Sequence, residues 1–531
     1  MPTTAIRQLL EILTEAVDTL EAACQSAAVT VAIPDLYEPF SPASEAFRGV
    51  PKAAEAASLI GAAALQLEAI VTPPQISLYR VVSGHFKSAA LRICLESNVT
   101  ELLREAGPKA NPEKLARFIR YLATHHVYRE VAPNVFANTR ISSMLDTLKP
   151  SKEIIANPRS KHDGTFGLAA LASHHLDEAF KASAYAWETL ADPQTCLSGD
   201  PTASPFARAT GRPETLWTYF ERPENGFAAH RFGIGMQGIE ALQPPDAILN
   251  AYPWATLPQG SRVVDVGGGV GTSCLTLARE FPGLKLVNQD LPGVWNNKMP
   301  DALKSGQVVL QAHDFFTPQP QNDADVFLLK QIMHDWSDEY CVKILKHLWT
   351  AAKPDTTLLL LDSLVPLACH DPSGDSANAI PGAAPAMEAP APLLANYGAT
   401  NDMGYNADMT MFFLFNSQER TVIHFQQLLL RTGWEVVKIH RQAGDSTFLQ
   451  SIEAKKMAKQ ARLASPTRSF SLSSERHDPG QHDNQALRIV AVGPLVANVD
   501  KERGRTTLLL SLEVKKSGFN VSSFSIIAAD K

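Results

Sequence analysis

From residue 265 to residue 335 an ionisable side chain closes each of four short apolar runs. RVVDVG carries Asp265 and leads into a turn of glycines; KLVNQD ends in Asp290. QVVLQAHD ends in His313 and Asp314, followed by Phe315 and Phe316, and ADVFLLK ends in Lys330, shortly before His334 and Asp335. In an open parallel sheet, ligands bind beyond the carboxyl ends of the strands, so four such endings in succession mark a site. The glycines Gly267, Gly268, Gly269 and Gly271 let backbone approach a ligand closely. Their order is G-x-G-x-G, with the last glycine one place early for the dinucleotide fingerprint. A carboxylate two residues before the turn also disfavours a pyrophosphate. Asp265 suits a cation instead, the ammonium of an amino-acid moiety. Asp290, 25 residues later, is placed to accept both hydroxyls of a ribose, and Asp314 with Phe315 to bind an adenine amine and cover its ring. Ammonium, ribose and adenine together describe S-adenosylmethionine.

The elements that must position these residues follow from the rhythm of the chain. From Gly260 onward, apolar β-rich runs alternate with helical stretches such as TSCLTLAREF and SDEYCVKILKHLW, the pattern of a parallel sheet covered by helices on both faces. WEVVKIHR and STFLQSIE are separated by only a short polar turn, so they must pair antiparallel. A parallel sheet ending in an antiparallel hairpin departs from the dinucleotide-binding pattern. Upstream, residues 3–30 and 51–72 carry helical periodicity. Residues 75–138 read as short helices followed by two strands, a winged-helix-like unit. The basic residues of PEKLARFIRYLATHH are interleaved with Leu115, Phe118, Ile119 and Leu122 at core spacing, which favours packing or dimerisation over DNA contact. The expected organisation is N-terminal helices over 1–74, the winged-helix-like dimerisation domain over 75–150, a helical linker and acceptor-pocket region over 151–255, and a catalytic domain over 256–455. Residues 369–405, dense in Ala, Pro and Gly, form an insertion, and 456–531 are a Ser-rich linker and tail to which no function is assigned.

Composition narrows the class. The 531 residues carry a net charge of −7, which argues against nucleic acid or an anionic membrane as partner. Six cysteines lie far apart with no C-x-x-C, as suits a reducing compartment, and argue against structural zinc. Residues 1–30 mix charges among apolar positions and make no signal peptide. No apolar run is expected to reach the roughly 18–20 residues of a membrane span. A cytoplasmic protein is the expectation.

The ordered motifs D-V-G-G-G-V-G, Q-D-L-P, H-D-F-F and K-Q-I-M-H-D-W-S-D resemble those of the plant and fungal small-molecule O-methyltransferases, over about residues 75–455. The resemblance implies a Rossmann-like seven-stranded sheet, a homodimer through the N-terminal domain, S-adenosylmethionine as methyl donor without a metal, and a hydroxylated small-molecule acceptor. It makes His334 the base that takes the acceptor's proton. A helix beginning near Ser337 is expected to keep that ring neutral, because its positive end disfavours imidazolium. By motif, Asp362 and Glu419 flank the base and Lys330 contacts the cofactor. Phe232, Met236, Met333, Trp336, Met411, Phe415 and Asn416 match the acceptor lining and as a set favour a flat aromatic or polycyclic acceptor. The insertion lies at the cleft mouth, where it is expected to shape or cover the acceptor site. The rival readings are an NAD-linked oxidoreductase, disfavoured by Asp265 and the glycine order, and a winged-helix regulator with a nucleoside sensor, disfavoured by acidity and His334.

Overall fold

In a computed structural model the structure describes residues 4–27, 31–107, 109–110, 113–240, 243, 246–292, 306–376, 379–384, 388–442 and 449–457, and strands within 490–521. Residues 1–186 with 199–459 form one compact unit, and 187–198 with 460–531 a second. In the second, Val496–Asp500 pairs antiparallel with Arg505–Leu509, and Leu512–Lys516 with Phe519–Val521. The Ser-rich linker expected upstream of these strands lies almost wholly outside the described residues.

The first unit begins with a helical pair, Ala5–Ser26 and Pro51–Val71. Ala16, Leu20, Ala23 and Cys24 of the first meet Ala53 and Ala56 of the second, where small side chains allow close approach. The second helix, 21 residues long with mean hydropathy 1.4, is long and apolar enough to cross a membrane. It meets that measure by length and average composition; Lys52, Glu55 and Glu68 interrupt it, and its run without a charge covers only 56–67. Helices His85–Glu96 and Val99–Ala106 lead into strand β1 (Lys109–Ala110), and helix Glu113–Ala123 follows it before β2 (Tyr128–Ala132) and β3 (Val135–Asn138), the three strands arranged β1-β3-β2. Cys94, Ile119, Leu122, Tyr128 and Phe136 fill their core, while Phe118 faces outward.

The apolar runs of the second half form β4 (Arg262–Val266), β5 (Lys285–Asp290), β6 (Val308–Ala312), β7 (Val326–Lys330), β8 (Thr357–Asp362), β9 (Trp434–His440) and β10 (Gln450–Lys456), ordered β6-β5-β4-β7-β8-β10-β9. All neighbours are parallel except β10, which runs antiparallel to both β8 and β9. Val263, Val264, Phe327, Leu328, Leu358 and Leu359 are fully buried because helices cover both faces. Asp338–Ala351 and Val422–Thr432 pack on one side; Thr272–Glu280 with residues 247–254 pack on the other. Strand order reverses between β4 and β7, and a crevice opens at that point beyond the carboxyl ends.

The insertion after β8 is tied down at several places. The Ile439 N–H donates to Pro381 O at 2.8 Å and Arg441 Nη2 to Ala383 O at 2.7 Å, along the sheet's edge strand. Further on, Ala389 and Leu393 pack against Leu9, Ala62 and Ala63 of the N-terminal helical pair, and Gln66 Nε2 donates to Pro392 O at 2.8 Å.

Candidate active site

The glycine turn closes directly over buried polar groups. The N–H groups of Gly267 and Gly268 both donate to Gln289 O, at 2.9 and 3.0 Å, which joins the ends of β4 and β5. At position 268 only glycine fits: a Cβ there would overlap Asn288 Oδ1 and stand 2.6 Å from Asp265 Oδ2. Asp265 is 1% exposed, so it lies beneath the turn rather than beside it. Its Oδ2 is 3.7 Å from the Cys274 thiol. Its Oδ1, like Asn288 Oδ1, is buried with no hydrogen-bond partner among the described residues. Burial pushes the Asp265 carboxyl up to about 7, against the pull of Lys330 at the end of β7. Two buried acceptors without donors beneath a glycine turn fit a cationic, donor-rich group.

Asp290 closes β5. Its Oδ2 accepts from Gly269 N at 2.8 Å and its Oδ1 from Leu291 N at 2.7 Å. Each oxygen keeps a further lone pair, so the carboxylate can hold the turn and still accept from two hydroxyls. Asp314 is exposed and caps the next turn, accepting from Phe316 N at 2.9 Å. Phe315 packs edge-on to Phe316, with centroids 4.9 Å apart, and borders Gly267. The structure thus joins Asp265, the glycines, Asp290, Phe315 and Lys330 around one crevice.

His334 sits in the turn Met333–Asp335 after β7. Its Nδ1 is 2.8 Å from Glu419 Oε1, and its Nε2 is 3.5 Å from Asp335 Oδ1. Asp362, at the end of β8, is fully buried, and neither of its oxygens has a hydrogen-bond partner among the described residues. It acts on His334 through its field and makes no hydrogen bond to the ring. The expectation of a neutral ring is overturned. Burial alone would lower the imidazole pKa, but Glu419 and Asp335, with Asp362 behind them, outweigh it and raise it to about 10. Carboxylates brought in by folding dominate over a helix end. Burial in turn pushes the Asp362 carboxyl up to about 8 and Asp335 to about 6.

Arg420, which the sequence reading passed over, holds this cluster together. The fully buried guanidinium donates to Met333 O at 2.7 Å, Trp336 O at 2.8 Å and Asp338 Oδ1 at 2.9 Å. Ser417 Oγ donates to His334 O, and Glu419 N to Asp408 Oδ1 at 2.8 Å. The segment carrying Glu419 is therefore clamped to the turn carrying His334.

A cavity of about 610 Å³ opens in front of His334, Asp335 and Glu419. Of the expected lining, Phe232, Met236, Met411 and Phe415 are in place. Three residues are not. Met333 is buried in the sheet core. Trp336 stacks on Tyr340 with centroids 5.7 Å apart and meets Phe316 edge-on. Asn416 ends the helix Met403–Phe415 in a left-handed conformation and donates from Nδ2 to Asp200 O at 2.9 Å. Leu168, His174, His175, Trp217, Met403 and Asn406 line the cavity instead. A second cavity of about 320 Å³, lined in part by Arg92, Asp177 and Arg231, contains no residue of the His334 cluster.

Residues 187–380 match the O-methyltransferase domain family. The chain is 53% identical over 470 residues to 4-O-methyltransferase 1 of Phanerochaete chrysosporium, covering 85% of this chain and 98% of that one. It is 40% identical over 456 residues to an O-methyltransferase of Armillaria gallica, covering 82% and 95%. Among solved structures, mitomycin 7-O-methyltransferase superposes with a TM-score of 0.52 at 21% identity, covering 72% of this chain and 98% of that one, which is a likeness of fold.

Proposed function

The chain belongs to the O-methyltransferase family, and from that premise we propose that it methylates a hydroxyl of an aromatic, polyketide or terpenoid-type small molecule, with His334 as general base. The observation that carries this reading is the 2.8 Å contact of His334 Nδ1 with Glu419 in a ring that lines an apolar cavity. A carboxylate only accepts, so Nδ1 carries a proton, and Nε2 is the nitrogen left to take one from a substrate hydroxyl. Asp335 at 3.5 Å is too far to occupy it. A phenol, of pKa about 10, is a poor nucleophile until deprotonated. When bound, S-adenosylmethionine supplies the electrophilic methyl and a positive sulfonium, whose charge disfavours a second cation at His334. Asp290 and the glycine turn hold the nucleoside, Asp314 and Phe315 the adenine, and Lys330 faces the buried Asp265. The walls orient the hydroxyl at Nε2 and keep water away. Calorimetry is expected to show S-adenosylhomocysteine binding and no heat with NAD. The opposite pattern would favour an oxidoreductase.

Two further readings belong with this one. Leu78, Tyr79, Val81, Val82 and Phe86 are exposed on and beside the helix Pro74–Val82, Val81 at 78%. An apolar stripe of this size supports pairing with a second copy, and light scattering at twice the chain mass is the expected result. The six cysteines are all free, which supports a reducing compartment such as the cytoplasm.

The insertion acts as a fixed wall of the acceptor site. Thr400 sits against the N-terminal helical pair, where a Cβ on Gly61 would stand 3.0 Å from its Cγ2 and Oγ1. Two residues later, Asp402 and Met403 line the cavity. Gly61→Val is expected to raise acceptor KM roughly tenfold, about 1.4 kcal/mol, with S-adenosylhomocysteine affinity unchanged. Adding Thr400→Ala should restore it. An unchanged KM in Gly61→Val would contradict the wall.

A further inference from the structure

The acceptor cavity has a polar feature that methyl transfer does not use. The helix that starts at Leu168 passes into a π-helical turn over His175–Ala179, an uncommon geometry that recurs at functional sites. Neighbouring residues of a regular α-helix point about 100° apart, yet His174 and His175 both line the cavity. Their orientations are fixed from behind. His174, 2% exposed, places Nδ1 3.0 Å from Glu178 Oε2. Glu178 is held in turn by Arg231, whose Nη2 is 2.6 Å from Oε2. The Arg231 Nη1 also donates to Ser173 Oγ at 3.1 Å. The His175 ring stands edge-on to His174, centroids 5.5 Å apart, and its Nδ1 is 3.1 Å from Leu171 O.

A carbonyl oxygen can only accept, so His175 Nδ1 carries the proton and Nε2 the lone pair. His175 is open to solvent in the free protein, but desolvation by the protein walls around it, reinforced by His174, holds its pKa below its ordinary value, so the ring is neutral at neutral pH. Its Nε2 is a fixed acceptor on the cavity wall, with no partner among the described residues.

We propose that His175 Nε2 accepts a hydrogen bond from a second hydroxyl of the acceptor, so that the enzyme selects aromatic substrates carrying at least two hydroxyls, one presented to His334 and one to His175. This rests on reading the cavity as the acceptor site of a methyltransferase. In the free protein His175 is exposed, so water can meet its Nε2; a bound substrate without the second hydroxyl would displace that water and leave Nε2 facing an apolar ring, unpaired. His175 is then a specificity residue that takes no part in the transfer itself.

The test compares a dihydroxylated aromatic acceptor with its analogue lacking the hydroxyl that is not methylated. Wild-type enzyme is expected to favour the first by about tenfold to a hundredfold in kcat/KM, mostly through KM. In His175→Leu the preference should fall to near unity while turnover of the monohydroxylated analogue persists. His175→Gln, which keeps an acceptor oxygen, should retain part of the preference. A preference that survives His175→Leu, or a wild type without one, would overturn the proposal. Failure of the methyltransferase reading looks different: no transfer to either acceptor and no S-adenosylhomocysteine binding.

Discussion

His334→Ala lowers kcat by about 10²–10⁴-fold and leaves S-adenosylhomocysteine affinity unchanged. The loss falls on kcat because the ring acts on the proton of the attacking hydroxyl, whereas the nucleoside contacts lie at the glycine turn, Asp290 and Phe315. His334→Gln is the cleaner companion, since its amide can still meet Glu419, which already has one oxygen without a partner. The pH dependence carries a signature of its own. With the pKa raised to about 10 by Glu419 and Asp335, the base form of the free enzyme is scarce at neutrality, so kcat/KM should climb as pH rises above 7. Stability runs the other way. A folded-state pKa above the unfolded value means that His334 stabilises the fold fully below about 6.5 and loses this as pH rises through about 10. Asp362, raised to about 8, and Asp335, raised to about 6, also bind protons more tightly when folded, so their share of stability is lost earlier, as pH rises from the ordinary carboxylate range through about 6 for Asp335 and about 8 for Asp362. An activity optimum on the alkaline side, limited above by loss of the fold, is expected. The part of that rise owed to the imidazole should vanish in His334→Gln.

Arg420→Met destabilises the protein by about 2–4 kcal/mol and lowers kcat as well. The substitution strips donors from the Met333 and Trp336 carbonyls, leaving one Cys341 S–H, 3.3 Å from each, and for Met333 O a long contact from Trp336 N at 3.4 Å. It also breaks a pair with Asp338, but that carboxylate is partly exposed and keeps His424 at 2.9 Å, so the ion-pair share is discounted. The turn holding His334 would loosen against the segment holding Glu419. Arg420→Lys should recover little, because an ammonium cannot span three acceptors in the plane of the guanidinium. The checks are thermal unfolding and the split between kcat and KM. An Arg420→Met enzyme with wild-type stability and kcat would show that the clamp does not matter.

Much of this architecture was legible in the sequence because it rests on local rules. Runs such as VVDV, VFLL and TLLLLD are buried on both faces and can only be central strands, and strand ends name the crevice. The four-glycine turn was read for what a ligand needs; the structure adds that Gly268 is required by Asn288 and Asp265 below it. What escaped depends on the direction of side chains or on partners distant in sequence. Met333, Trp336 and Asn416 flank cavity residues in sequence, yet at the ends of turns and helices their side chains swing into the core or toward neighbouring backbone. The charge of His334 was misjudged because its carboxylates come from residues 335, 362 and 419, two of them far along the chain. Arg420 binds backbone carbonyls, which no spacing reveals. The doublet His174–His175 could have been noticed as two imidazoles within an apolar helix, but its tautomer depends on Leu171 O and on the π turn.

The central claim is that a methyl group passes to oxygen under the control of His334. Its most direct test is single-turnover transfer from S-adenosylmethionine carrying an isotope-labelled methyl to a hydroxylated aromatic acceptor, with the product read by NMR for wild type and His334→Gln. The account predicts an ether methyl formed by wild type, and a variant that binds S-adenosylhomocysteine equally well but transfers at least a hundredfold more slowly, about 2.7 kcal/mol in barrier. Label on nitrogen or carbon, or a variant as fast as wild type, would contradict it.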